Sequence, residues 1–179
     1  LPGISWFEGI YYNKEIFEEN NVELPKTFDE FLDVCTTFQN AGVTPLAAGL
    51  KSWEPLLKSS MAFVTAEYLS TDEGKGFGEK YRNGEVTMDG TWNPYIETWS
   101  QLIDNGVYTA DMTGIDHDQA LEQFATGGSA MFCSGPWDYD AIMEKNPELQ
   151  LDMMPFYGTK ESAGWLIGGP GCGFAANAS

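Results

Sequence analysis

The sequence predicts an α/β fold in one compact unit. Hydrophobic positions at the helical period alternate along the chain with short apolar runs, which is typical of α/β architecture. The 179 residues correspond to about one domain and suffice to bury a sizeable core. No internal repeat, low-complexity tract or linker divides them, so residues 1–179 are predicted to form a single unit.

The first part of the chain predicts a strand followed by two helices. Residues 1–12 form an extended entry whose end is rich in β-forming residues, and Asn13 is placed to cap a short helix over Lys14–Glu19. Thr27 and Glu30 have the spacing of a capping box. The helix that they begin carries apolar residues at the helical period: Phe28, Phe31, Leu32, Cys35 and Phe38.

The middle of the chain predicts a short strand and two further helices. Gly42 is placed to end the preceding helix, and Val43–Ala48 is a candidate for a short buried strand. A long helix is predicted over Ser52–Leu69, with Pro55 in its first turn. Another helix is predicted over Thr71–Tyr81, although three glycines weaken its pattern.

Helices dominate the next part of the chain. A helix is predicted over Asn93–Asp104, which Gly106 ends. Its apolar stripe consists of Tyr95, Ile96, Trp99, Leu102 and Ile103. Asp116 is placed to cap one more helix, and Gly127 with its neighbouring glycine is placed to end it.

The last part of the chain predicts three strands and one helix. Ala130–Cys133 is an apolar run with the length of a short strand, and a helix over Pro136–Lys145 follows it, with proline at its first position. Gln150–Pro155 and Cys172–Ala175 are the remaining strand candidates.

The charge balance argues against several classes of function. The chain has 27 acidic and 9 basic residues, and its formal net charge of −18 repels nucleic acid and anionic lipid. At 42% hydrophobic and 14% aromatic, it does not have the composition of a disordered acidic segment. No apolar run is long enough to span a membrane, and no signal-peptide pattern is present. Because the first residue is Leu1, we expect the chain to derive from a longer one.

The cysteines and the single histidine give no sign of a metal centre or a nucleophile. Cys35, Cys133 and Cys172 are widely spaced and odd in number, so they predict neither a disulfide framework nor a CxxC metal site. Cys35 lies on an apolar helical stripe and is expected to be buried. His117 lies among acidic residues at a helix start, where we expect it to be solvated, and no GxSxG motif accompanies it. No metal or cofactor is predicted.

The tryptophans carry the main functional signal of the residues themselves. Trp99 lies at helical spacing among apolar residues and is predicted to belong to the core. Five others lie at the ends of elements, beside glycine, proline or serine: Trp6, Trp53, Trp92, Trp137 and Trp165. Such positions place a large ring at the rim of a sheet, where clefts form. A ring there can lie flat on a sugar while carboxylates and amides bind its hydroxyls. The alternative is that two or three of the five are partly exposed core residues.

Two further patterns leave alternatives open. Gly168–Gly173 is glycine-rich but lacks the residues of a phosphate-binding loop; it suits a turn before a strand, or close approach to a ligand or to a neighbouring lobe. Asp138 and Asp140 flank a tyrosine next to Trp137, and Glu8 lies near a tryptophan. A glycosidase would use two such carboxylates, but a chance pair is expected among 27 acidic residues.

Five segments resemble one protein family, in order and along nearly the whole chain. The matching segments are Gly9–Phe17, Pro25–Phe31, Gly42–Leu46, Phe124–Phe132 and Gly135–Trp137. They resemble the YYNK..F, P.TWDEF, GI.P, F..G.AAM and G.W motifs of the extracellular solute-binding proteins of ABC importers, in the first sugar-binding family.

The resemblance implies a fold, a function and partners. The expected fold is one lobe of the periplasmic binding protein-like type II class, helix-rich around a small mixed sheet. The family implies a clamshell that holds a carbohydrate between two lobes and presents it to the transmembrane subunits of a permease, without catalysis. Residues 1–179 would be most of the second lobe of a monomeric receptor. Its location would be extracytoplasmic, free in the periplasm or anchored by a lipid.

The resemblance also implies which residues contact the ligand. The tryptophan of the Gly-Pro-Trp segment, Trp137, is expected to stack on the sugar. The other residues implied, some by matching position and some by neighbourhood, are Trp53, Trp165, Gly168, Gly169, Asp138, Trp6 and Glu8. Asp138 is expected to accept hydrogen bonds from sugar hydroxyls.

Two alternative functions remain open from the sequence. The first is an enzyme domain that acts on glycans. The second is a receptor of the same class with a non-sugar ligand, such as a glycerol phosphodiester. The low number of lysines and arginines, 9 in all, argues against an anionic ligand without excluding it, because helix N-termini and the other lobe could bind the anion.

Overall fold

The protein alternates short strands with helices, as the sequence predicts. The structure is a computed structural model that describes residues 2–160 and 164–173. Its elements are β1 (Pro2–Asn13), α1 (Lys14–Glu19), α2 (Phe28–Asn40), β2 (Leu46–Ala47), α3 (Glu54–Val64), α4 (Phe77–Arg82), α5 (Asn93–Trp99), α6 (Gln101–Asp104), α7 (His117–Ala125), β3 (Met131–Ser134), α8 (Tyr139–Lys145), β4 (Leu151–Met154) and β5 (Ile167–Gly173). A π-helical turn over Thr65–Leu69 extends α3, and 3₁₀ turns cover Ala110–Gly114 and Pro136–Asp138.

β1 is the central strand of a small mixed sheet. In the described part of the chain, five strands pair in the order β2-β3-β1-β4, and β5 also pairs with β1. The second half of β1 lies antiparallel between β3 and β4, so Tyr11 is paired with Phe132 on one side and Met153 on the other. The first half of β1 lies antiparallel to β5, with Glu8 paired to Ile167. β2 runs parallel to β3.

Two hydrophobic clusters cover opposite faces of this sheet. Neighbouring residues of a strand point to opposite faces, and accordingly Ile10 belongs to the first cluster and Tyr11 to the second. Met131 and Phe132 on β3 divide in the same way. Residues of α1, α2, α3, α5 and α6 complete the first cluster, and residues of α7 and α8 complete the second. The helices that pack on both faces thus hold the strands of the sheet in place.

Local capping interactions start the helices where the sequence predicts them. The side chain of Asn13 accepts hydrogen bonds from the first backbone N–H groups of α1, at 3.0 and 3.2 Å. Thr27 accepts from the N–H of Glu30 at 3.2 Å, whereas the Glu30 carboxylate accepts from the N–H of Lys26 rather than completing a capping box on Thr27. Asp116 caps α7 in a complete capping box.

The predicted boundaries in the first half of the chain are only partly correct. The helical stretch predicted over Ser52–Leu69 is confirmed except for its first two residues, since α3 begins at Glu54 and the π-helical turn continues it to Leu69. The helix predicted over Thr71–Tyr81 is wrong in its first half, because turns precede α4 there. In this segment Gly76 has a positive φ of 75°, a conformation that breaks a helix. The strand predicted over Val43–Ala48 is confined to the two residues of β2.

Boundaries in the second half differ in similar ways. The helix predicted over Asn93–Asp104 is divided into α5 and α6, with Ser100 between them. The helix predicted over Pro136–Lys145 begins as a 3₁₀ turn. The strand predicted over Cys172–Ala175 begins earlier, at the start of β5, and its residues 174 and 175 lie outside the described residues. The turn proposed for Gly168–Gly173 is wrong, since these residues belong to the strand itself.

The predicted core residues are buried. Trp99 and Cys35 both lie in the first cluster, and burial raises the pKa of the Cys35 thiol. Cys35, Cys133 and Cys172 are free cysteines. Over residues 2–160 and 164–173, the helices are too short or too polar to cross a membrane.

Candidate functional site

A polar depression opens where the first half of β1 meets the start of α3. Its walls come from parts of the chain that are distant in sequence: β1, α3 with the loop before it, the start of α7, and the segment that follows β3. The charged, hydroxyl and aromatic groups that line it include Glu8, Glu54, Lys58, His117, Ser134 and Trp137. Convergent polar groups beside an aromatic ring are typical of a ligand-binding site.

Trp137 is held at the edge of this depression by the turn after β3. A Cβ atom at Gly135 would collide with the carbonyl oxygen of Phe7 and with the indole ring of Trp137, so only glycine lets β1 and the ring approach this closely. The hydroxyl of Tyr11 donates to the Gly135 carbonyl at 3.0 Å, and burial of Tyr11 raises its pKa to about 12. The turn fixes an indole that is still 49% exposed.

Lys58 lines the depression and contacts groups from three elements. Its ammonium is 2.6 Å from Oε1 of Glu8 and 3.6 Å from Oε2 of Glu54, one helical turn earlier on α3. The same ammonium is 5.6 Å from the centroid of the Trp137 ring, within the range of a cation–π interaction. Burial raises the pKa of the Glu8 carboxyl, while the hydrogen bond from Lys58 opposes that effect.

A second contact, between an imidazole and a carboxylate, lies at the start of α7. Nε2 of His117 is 2.8 Å from Oδ2 of Asp138, and the hydroxyl of Ser134 donates to the same carboxylate oxygen. Asp138 itself is buried. The loop before α3 packs tightly here, because a Cβ atom at Gly49 would lie 2.7 Å from the backbone of Asp116. His117 is therefore paired with a carboxylate rather than simply solvated, which corrects the expectation from the sequence.

The pairing predicts how His117 titrates. Its hydrogen bond to Asp138 raises the pKa of the imidazole above the ordinary value near 6.5; burial opposes this, and the charges of Asp138, Asp118 and Glu54 add to it. A further charged pair lies near the start of α7, where the ammonium of Lys51 is 3.9 Å from a carboxylate oxygen of Asp116. A raised pKa in the folded state means that protonation stabilises the fold. The contribution is complete below the unfolded pKa and is lost as pH rises through the folded pKa.

We expect this titration to be visible directly, because the chain contains one histidine. In an NMR titration the imidazole of His117 should have its midpoint above about 6.5. Urea unfolding of wild type and His117→Gln should show a stability difference that shrinks as pH rises from 6 to 9, because the contribution of the protonated imidazole is lost as pH rises through the raised folded-state pKa. A midpoint at or below the ordinary value would contradict the Asp138 contact.

The structure brings some of the predicted ligand-contacting residues together. Trp137 and Glu8 line the depression, and Asp138 lies behind it in contact with His117. Since Oδ2 of Asp138 already accepts from internal donors, a ligand hydroxyl would have to reach its other oxygen. Trp53 is 66% exposed and lies immediately before α3, outside the residues that line the depression.

The other predicted contacts lie on β1, on β5 and in the segment just before β5. Trp6 is paired with Gly169 in the β1–β5 ladder, and a Cβ atom at Gly168 would collide with the carbonyl oxygen of Trp6. Trp165 exchanges two backbone hydrogen bonds of 2.9 Å with Phe156, which lines the depression. The glycines therefore allow two strands to approach closely, and any contact that they make with a ligand stays a prediction.

Several polar residues of the depression were not predicted from the sequence, among them Glu54, Lys58, His117 and Ser134. The four-residue spacing of Glu54 and Lys58 indicates only an ion pair on one helix face. Nothing local to the sequence indicates that Lys58 reaches Glu8, which is 50 residues away. His117 is noticeable in the sequence as the single histidine, but its partner, Asp138, comes from another part of the chain.

The arrangement is suited to binding an uncharged polar ligand. The ammonium of Lys58 and the imidazole of His117 line the depression and lie 2.6 and 2.8 Å from a carboxylate oxygen, so neither is free to attract an anion. Hydrogen-bond donors and acceptors of the lining side chains also lie near the indole of Trp137. Among the residues that the structure describes, no group of three or more His, Cys, Asp or Glu side chains is placed to hold a metal ion.

Comparison with known proteins gives one consistent result. Residues 1–179 match the sequence profile of the family described as bacterial extracellular solute-binding protein. A multiple sugar-binding protein of Streptococcus mutans is 25% identical over 169 residues, which are 94% of this chain and 40% of that protein.

Solved structures show the same fold. A family 1 extracellular solute-binding protein from Bifidobacterium longum subsp. infantis superposes with a TM-score of 0.82 at 25% identity, covering 95% of this chain and 44% of that one. A sugar transporter from Bacillus licheniformis in complex with stachyose superposes with a TM-score of 0.77 at 20% identity, covering 94% of this chain and 44% of that one. The predicted class, α/β with a small mixed sheet and a periplasmic binding protein-like fold, is confirmed. The chain spans less than half the length of these relatives.

Proposed function

The chain belongs to the bacterial extracellular solute-binding proteins, and from this we propose that it binds a sugar or oligosaccharide for an ABC importer. The observation that carries the proposal is the half-exposed indole of Trp137 at the edge of a depression whose basic groups, Lys58 and His117, are bound to carboxylates. An indole face matches the C–H face of a pyranose, while nearby polar groups bind its hydroxyls. The sugar-binding relative from Streptococcus mutans supports the same ligand class.

We further propose that the chain is the second lobe of a two-lobed monomeric receptor. In support, 94% to 95% of this chain aligns with its relatives, but the aligned part makes up only 40% to 44% of each relative. The ligand would lie between the lobes, and closure would supply the second wall of the site and exclude water. Trp53, Trp165, Gly168, Gly169 and Trp6 would then contact the ligand or the facing lobe at the rim.

The receptor would work outside the cytoplasmic membrane and deliver its ligand to the transmembrane subunits of a permease. The family is extracellular by its description, which supports this location. We propose that it is either free in the periplasm or anchored by a lipid on the outer face of the cytoplasmic membrane.

Catalysis is not part of the proposal. The family consists of solute-binding proteins. A glycosidase needs one carboxylic acid to protonate the leaving group and one free carboxylate, whereas Glu8 is bound to Lys58 and Asp138 to His117 and Ser134. The Ser134 hydroxyl donates to Asp138 and not to His117, so these residues do not form an activated nucleophile. Turnover of a chromogenic glycoside would contradict this reading.

A phosphodiester ligand fits the depression less well. Lys58, the lysine that lines it, already lies next to two carboxylates, and their negative charge offsets the attraction that an ammonium offers to a phosphate. We therefore propose a neutral carbohydrate over a glycerol phosphodiester.

Calorimetry tests the proposal on two proteins, this chain alone and the complete protein that contains it. The titrants are stachyose, raffinose, maltotriose and xylotriose. We expect at least one of them to bind the complete protein with micromolar or tighter affinity, and this chain alone to bind it far more weakly, because half of the contacts are absent. Micromolar binding by the lone chain would contradict a site shared by two lobes. Failure of all the sugars with the complete protein would contradict sugar binding by this receptor.

A further inference from the structure

The ammonium of Lys58 joins three parts of the site. It extends from α3, is bound by Glu8 of β1, and stands beside the indole of Trp137 in the turn after β3. A lysine ammonium carries three N–H donors. Glu8 at 2.6 Å takes one of them, and Glu54 at 3.6 Å is too distant for a good hydrogen bond. Donor capacity therefore remains on the side of the depression.

Exposure decides which of the two paired groups a ligand meets. The side chain of Lys58 is 23% exposed, whereas that of Glu8 is 9% exposed. Both Lys58 and Trp137 line the depression, so a sugar that lies there against the indole meets the ammonium at its edge. The hydroxyl oxygens of a pyranose project from that edge and are good acceptors of a charged donor.

We propose that Lys58 donates a hydrogen bond directly to a sugar hydroxyl oxygen, and that Glu8 is a positioning residue which holds the ammonium in place. This inference rests on the proposed sugar-binding function. The sequence predicts that Glu8 contacts the ligand; the inference is instead that Lys58, which Glu8 binds, makes that contact. It also gives the partly buried ion pair a function beyond joining β1 to α3, because the ammonium remains accessible from the depression.

A double-mutant cycle tests the inference in the complete protein. The variants are Lys58→Met, which keeps an unbranched side chain one atom shorter and removes the donors, Lys58→Arg, Glu8→Gln, and the double variant Glu8→Gln with Lys58→Met. Their affinities are measured by calorimetry with whichever of stachyose, raffinose, maltotriose and xylotriose binds the wild type. Lys14→Met is the matched control, since Lys14 is also ion-paired, at 3.2 Å from Asp152, but is the first residue of α1, just after the end of β1 and outside the depression.

We expect Lys58→Met to weaken binding at least about tenfold, as loss of a hydrogen bond from a charged donor does. Lys58→Arg should restore most of that loss, and Glu8→Gln should weaken binding by a smaller factor. The double variant should bind no more weakly than Lys58→Met alone, because Glu8 acts through the lysine. Lys14→Met should bind as the wild type does.

The remaining outcomes overturn the inference. If Lys58→Met binds the sugar as tightly as the wild type, the ammonium does not contact it, although sugar binding itself stands. If the two single losses add up in the double variant, Glu8 contacts the sugar independently. Lys58→Met leaves Glu8 buried without its partner and could unfold; the double variant removes that carboxylate charge and keeps the comparison possible. If no sugar binds the wild type, the proposed function fails and the inference fails with it.

Discussion

A Trp137→Ala variant of the complete protein is expected to bind its sugar about 1–3 kcal/mol more weakly than the wild type, which is roughly 5- to 150-fold in Kd. The indole is 49% exposed at the edge of the depression and is fixed by Gly135 and Tyr11, so its face is available without reorganisation. Removing it takes away the surface on which a pyranose packs and leaves Lys58 without its aromatic neighbour. Calorimetry gives the change in affinity.

Two control variants separate stacking from other effects. Trp137→Phe keeps a smaller aromatic face and should bind with intermediate affinity. Tyr81→Ala removes an aromatic side chain that is equally exposed, at 50%, but lies on α4 away from the depression, and it should bind as the wild type does. If Trp137→Ala binds the sugar normally, the indole is not a stacking platform. A larger loss in Trp53→Ala would instead place the platform at the rim before α3.

Helix starts were predicted well because they depend on neighbouring residues. Asn13 and Asp116 cap their helices through bonds to backbone groups two or three residues away, and such bonds can be read from a short stretch of sequence. The π-helical turn could not be predicted in this way. It contains Glu67, whose carboxylate oxygens are each 3.0 Å from the hydroxyl of Thr159, 92 residues later. A contact of this kind is set by the tertiary fold and leaves no local pattern.

The same distinction applies to the site. Trp137 was identified because the glycine and proline before it form a recognisable motif, and the structure shows that this glycine is needed for the ring to approach β1. Lys58 and His117 were not identified as site residues, because each depends on a carboxylate from another element. Sequence reasoning thus found the aromatic residue that a local turn positions and missed the charged pairs that long-range folding assembles.

Phe38→Ala is expected to lower the free energy of unfolding by about 3–5 kcal/mol, the cost of deleting a large aromatic side chain from a packed core. Phe38 is completely buried on α2, in the first cluster, and its ring lies 5.0 Å from that of Phe17 on α1. Alanine would leave a cavity between two helices and the sheet. Small domains are typically stable by about 5–15 kcal/mol, so the loss removes a large share of the total. Urea unfolding followed by circular dichroism measures it.

The comparison with Trp137→Ala shows what each residue contributes. Phe38→Ala should leave the sugar affinity of the folded fraction nearly unchanged, because Phe38 does not line the depression. Trp137→Ala should lower the affinity and leave stability nearly unchanged, because its half-exposed ring adds little to the core. Phe38→Leu should lose less stability than Phe38→Ala, and Tyr81→Ala should lie within about 0.5 kcal/mol of the wild type. A loss below about 1 kcal/mol in Phe38→Ala would contradict the packing of the first cluster, since a fully buried aromatic ring cannot be deleted from a close-packed core at so small a cost.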